Sequence, residues 1–105
     1  MKELSQNTFK DTSKGTALIL FEALWCPHCH AMRPILEEAE KEYPIAVYRV
    51  NVENEEALSA RFSVRSVPTL VLLEGGREIA RAFGFMRNLY QLLSEAGIQK
   101  SRLHV

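Results

Sequence analysis

Cysteine is scarce in this chain: 105 residues include two, and they stand three apart. A pair so close cannot staple distant segments. That excludes a disulfide-stitched scaffold and leaves catalysis or metal binding as its use in an intracellular chain. Charge of one sign is lacking too, since thirteen basic residues balance thirteen acidic ones. No overall field draws in nucleic acid or an anionic membrane, so neither is expected as a partner and recognition has to be local. No apolar run approaches the length of a membrane span, and the opening Met1-Lys2-Glu3-Leu4-Ser5-Gln6 carries no apolar leader core. A cytoplasmic setting is the expectation. Repeats, low-complexity tracts and linkers are missing as well. With 47% apolar and 25% charged residues, the chain should fold as one α/β domain over residues 1–105 and act as a monomer.

What is present alternates between two periods. Lys14-Gly15-Thr16 signals a turn, and the unbroken apolar run over residues 17–21 predicts a central strand covered on both faces. Met32, Ile35, Leu36, Ala39 and Tyr43 recur at helical spacing over residues 29–43, with Pro34 expected to kink that helix. Residues 45–52 read as a second strand and 55–62 as a short helix whose acidic start, residues 53–56, suits the helix dipole. Residues 68–73 make the next strand. Glu74-Gly75-Gly76-Arg77 turns it into an antiparallel partner over 78–83. After the interruption at Gly84, Leu89, Leu92, Leu93 and Ala96 form the stripe of a last helix that stops at Gly97, leaving 98–105 as a loose tail.

The chemistry concentrates in Trp25-Cys26-Pro27-His28-Cys29, which follows the central strand and opens the first helix. At a helix N-terminus the dipole and free backbone N–H groups stabilise a thiolate, and His28 adds positive charge or a hydrogen bond. Both lower the thiol pKa below its free value of about 8.5 and make Cys26 a nucleophile and a better leaving group. Cys29, one turn later, is placed to resolve a mixed disulfide.

Around this pair the sequence resembles the thioredoxin superfamily along nearly its whole length. Phe21-Glu22-Ala23-Leu24-Trp25-Cys26 is similar to that family's strand end, Pro34 falls at its helix proline, and Ser66-Val67-Pro68-Thr69 is similar to its cis-proline loop. Gly75-Gly76 and Gly84 fall at its hairpin and late glycine. The resemblance implies a thioredoxin fold, a mixed sheet flanked by helices, and dithiol exchange with disulfide-bearing proteins or small thiols. No cofactor is implied, and a reductase or oxidase would recycle the pair. It implies roles for Cys26, Pro27, His28 and Cys29 in catalysis. It also implies a substrate surface made by Trp25, Val67, Pro68, Gly84 and Phe85, with Val67 offering backbone groups to an extended chain.

Two departures bear on mechanism. Pro27-His28 is the dipeptide of the periplasmic disulfide oxidases, implying a more oxidising couple than ordinary thioredoxin, although the chain has no room for the helical insertion those oxidases carry. Leu20 stands where thioredoxins carry a buried Asp, and Arg49 where that Asp has its lysine partner. Glu22, on the same strand face as Leu20, is then the candidate proton acceptor.

Other readings stay open. Cys26-Pro27-His28-Cys29-His30 satisfies the CxxCH pattern of haem attachment, and a structural zinc would draw on His28, His30 and His104. A low-turnover interaction protein on the same fold is a third. His30 and Arg33 read most simply as surface helix residues, and Met32, Met86 and the tyrosines as packing.

Overall fold

The structure, a computed structural model, describes residues 1–84 and 88–100. In chain order these form β1 (Lys2–Glu3), a 3-10 turn (Phe9–Ser13), β2 (Thr16–Glu22), α1 (Pro27–Glu42), β3 (Ala46–Asn51), α2 (Glu56–Arg61), β4 (Thr69–Glu74), β5 (Arg77–Phe83) and α3 (Asn88–Glu95). The five strands form one sheet in the order β1-β3-β2-β4-β5. β1 and β2 both run parallel to β3, while β4 is antiparallel to β2 and to β5. α1 supplies the crossover that the parallel pair β2 and β3 requires.

Alternation along β2 divides the core into two layers. Leu18 and Leu20 meet Met32, Leu36 and Ala39 of α1 and Leu89, Leu92 and Leu93 of α3. Ala17, Ile19 and Phe21 point the other way, onto Leu58, Phe62 and Val50. Burial on both faces is why β2 reads as a continuous apolar run rather than an alternating one. Leu20 is wholly buried in the first layer, with no charged partner asked of it.

The local signals place most ends within a residue or two. Gly75 and Gly76, at φ 59° and 84°, form the two-residue loop between paired Glu74 and Arg77, a conformation that needs positive φ at both central positions. α1 begins at Pro27, two residues before the expected Cys29, because the fixed φ of proline suits the first helical position. It continues through Pro34 to Glu42. β4 starts at Thr69 rather than Pro68, which has no N–H for the ladder. β1 is absent from the sequence reading, since two polar, exposed edge residues carry no apolar signal.

Two helices close on left-handed stops. α2 ends with Ser63 at φ 53°, the Ser63 N–H bonded to the Ala60 carbonyl and the Val64 N–H to the Ser59 carbonyl. This paired arrangement is the usual one at such a stop, here made without glycine. It turns residues 64–67 toward the first turn of α1. α3 ends the same way at Gly97, with the Ile98 N–H on the Leu93 carbonyl. Ile98, placed by the sequence reading at the head of the tail, packs against the core, and Lys100 lies 4.0 Å from Glu42. Residues 101–105 lie outside the described residues.

Candidate active site

Cys26 sits between the end of β2 and α1 as the helix N-cap, with extended backbone geometry. Its Sγ accepts a hydrogen bond from the Cys29 N–H at 3.2 Å, the part a serine or aspartate side chain plays at ordinary helix starts. The two cysteines are disulfide-bonded, with Cα atoms 5.3 Å apart. They pack against Ala23, with Val52 and Val67 closing over them. Cys29 is wholly buried and Cys26 is 3% exposed.

Residues far apart in sequence surround the pair. The Val67-Pro68 peptide bond is cis, and the Pro68 carbonyl accepts from the Gly84 N–H at 3.0 Å. Gly84 has φ 74°, which favours glycine there, and a Cβ would meet nothing within 4 Å. Beside Cys26 a groove of about 200 Å³ is lined by Trp25, Val52, Val64, Arg65, Ser66 and Val67. Trp25 is 67% exposed and so belongs to the surface, not the core. Among the described residues, neither the N–H nor the C=O of Val67 is hydrogen-bonded. Pro27 and His28 are exposed in the first turn of α1. Phe85, expected on the same surface, lies outside the described residues, as do Met86 and His104.

Two residues read as bland surface positions have work here. Glu22, 4% exposed, forms an ion pair at 2.9 Å with the Arg33 guanidinium, which donates from Nε. Arg33 follows Cys29 by four positions, so it lies one turn below it on the same helix face. A carboxylate closing an apolar strand demands such a partner. That demand was the available signal, and the helical offset from Cys29 the place to look. His30 donates from Nε2 to the Leu24 carbonyl at 2.7 Å, tying the first turn of α1 back to the residue before Trp25. Arg49, in register with Leu20 and with Glu3, lines a polar cavity of about 320 Å³ that includes Ser5, Thr8, Asn51 and Asn54.

The geometry suits dithiol exchange: one cysteine at a helix start with a little exposed surface, a second wholly buried beside it, and the unbonded backbone groups of Val67 close by. It does not gather ligands. No group of three or more His, Cys, Asp and Glu side chains clusters as a metal site among the described residues. The Nε2 that a CxxCH haem site would use is bound to Leu24.

Comparison with known proteins points the same way. The family model described as Thioredoxin matches residues 1–96. Thioredoxin of Chlamydia trachomatis is 35% identical over 83 residues, covering 77% of this chain and 81% of its own. Thioredoxin of Bacillus subtilis is 30% identical over 87 residues, covering 81% and 84%. Among solved structures, a mutant thioredoxin from Halobacterium salinarum superposes with a TM-score of 0.81 at 26% identity, over 90% of this chain and 88% of that one.

The hydrogen bond from His30 can be read through Trp25, the sole tryptophan. A His30→Ala variant should shift the Trp25 emission and raise its quenching by acrylamide, while costing no more than about 1.5 kcal/mol of stability. His30→Gln, which keeps an N–H donor, should return most of the parent signal. Identical emission and quenching in all three proteins would show that this bond does not hold the segment.

Proposed function

From the premise that this chain belongs to the thioredoxin family, and is a thiol–disulfide oxidoreductase, we propose the division of labour within its site. Cys26 is the attacking sulfur and Cys29 the resolving one, with protein disulfides or dithiols as substrates and a reductase or oxidase as recycling partner. One observation carries this assignment: Cys26 caps the helix with Sγ facing a backbone N–H and retains a little accessible surface, whereas Cys29 has none. In the reducing direction the Cys26 thiolate attacks one sulfur of the substrate disulfide, forming a mixed disulfide and expelling the other as a thiolate. Cys29 then loses its proton and attacks Cys26 Sγ. The second substrate thiol departs, and the pair is left oxidised by the two electrons the substrate gained. With a dithiol substrate the same steps run backward, reducing the pair and leaving the substrate as the disulfide.

The supporting residues take the remaining roles in this reading. His28 and Pro27, in the first turn of α1, tune the thiolate and make the couple more oxidising than that of ordinary thioredoxin. Trp25, Val67, Pro68, Gly84 and Phe85 receive the substrate, whose backbone adds to the unbonded N–H and C=O of Val67. Glu22 accepts the Cys29 proton in place of the Asp that Leu20 has displaced. Its burial and its ion pair with Arg33, one helical turn from Cys29, support that role. A cytoplasmic setting, with a reductase keeping the pair reduced, belongs to the same reading. No helix among the described residues is long and apolar enough to cross a membrane.

Three measurements test these assignments. Cys29→Ala should accumulate mixed disulfides on Cys26, and Cys26→Ala should abolish exchange; mixed disulfides absent from the first variant would remove Cys26 as the nucleophile. Equilibration with glutathione buffers should give a potential above the roughly −270 mV of thioredoxin and toward the roughly −120 mV of the strong oxidase. A value at or below thioredoxin's would assign Pro27-His28 no oxidising effect. Glu22→Gln should slow resolution about tenfold or more and flatten its pH profile, in keeping with the loss of a general base. An unchanged profile would exclude Glu22 as acceptor.

A further inference from the structure

The groove beside Cys26 contains a charge that disulfide exchange itself does not use. Its walls are Trp25, Val52, Val64 and Val67, and its one charged lining residue is Arg65. Arg65 is exposed, and among the described residues it has neither an ion-pair nor a hydrogen-bond partner. Arg33 pairs with Glu22, Arg81 with Glu78, and Arg61 lies over the Phe9 ring, while Arg49 and Arg77, like Arg65, have no ion pair among the described residues. Glu22 is buried under Arg33, and Glu55 accepts from the Gln6 N–H. Among the described residues no carboxylate lines the groove.

Placement relates this guanidinium to the reacting sulfur. Val67 packs on the cysteines, and Arg65 precedes it by two residues, a span of no more than about 7 Å. An extended chain rises about 3.3 Å per residue. A substrate whose cysteine meets Cys26 while its backbone follows residues 64–67 therefore brings a side chain two or three residues away to Arg65. The planar fork of an arginine matches a carboxylate in paired hydrogen bonds, and the apolar walls beside it reduce the competition from water.

We propose that this groove receives an extended segment of a protein substrate with an aspartate or glutamate two or three residues from its reactive cysteine, and that Arg65 selects for it. The inference rests on the reading of Cys26 as nucleophile. Arg65 acts on substrate choice, not on the sulfur chemistry.

The test uses the reduced full-length protein and single-cysteine peptides, each joined through a disulfide to one common aromatic thiol whose release is followed by absorbance. Glu, Gln or Lys is placed in turn at two and three residues on either side of the cysteine. At one or more positions the Glu peptide should exceed the Lys peptide in kcat/KM by about three- to tenfold, a range consistent with a partly exposed charge pair. That preference should shrink in 0.5 M salt, fall away in Arg65→Gln and invert in Arg65→Glu, with the Gln peptide as reference for each variant. Equal rates for Glu and Lys at every position, with the Gln peptide still exchanged, would overturn the proposal and leave the nucleophile assignment standing. No exchange with any peptide would overturn that assignment and the proposal with it. Glutathione disulfide is the remaining arm: a dependence on Arg65 as large as the peptides show would mean that the groove serves small disulfides instead.

Discussion

The bond from the Cys29 N–H to the Cys26 Sγ holds the working part of this protein together. A helix start leaves backbone N–H groups unpaired, and something must accept from them. In the proposed mechanism the acceptor here is also the attacking sulfur. The same geometry that completes α1 fixes where the first sulfur stands, buries the second one turn along, and aims a donor at the site where negative charge develops on reduction. In that mechanism capping and catalysis are one arrangement. The remaining structure delivers surfaces to that point: β2 brings Trp25, the end of α2 brings residues 64–67, and β5 brings Gly84 to the Pro68 carbonyl.

Below the cysteines an apolar layer and one buried ion pair lie side by side. Leu20 fills the first core layer as a plain apolar side chain, and Arg49, its neighbour in register, lines a polar cavity at the β1–β3 edge. The buried carboxylate stands two residues along the strand at Glu22, and its cation comes from α1. Removing one partner from such a buried pair is far more costly than removing both, so Glu22 and Arg33 have to be kept or lost together.

Most of the fold was legible because its signals are local. The run from Ala17 to Phe21, the helical stripe through Met32, Leu36 and Ala39, and the double glycine of the hairpin each act within a few residues. Cys26 and Cys29 were legible for the same reason. What escaped depends on pairing across the sheet or across a junction. β1 has two polar residues and exists because β3 offers it an edge. The partners of His30 and Arg33 lie six and eleven residues away, and a helical pattern says which face a residue is on without saying what waits opposite it. Ser63 gives no warning of a left-handed stop, since glycine is the usual sign.

The closeness of the two cysteines also bears on how such a site would withstand peroxide. A sulfenic acid formed at Cys26 would have Cys29 beside it, with Cα atoms 5.3 Å apart. Condensation of the two would lose water and return the same disulfide, ahead of a second oxidation to the irreversible sulfinic state. In that event the buried cysteine would double as a repair thiol, and oxidative injury would end in the disulfide form already described.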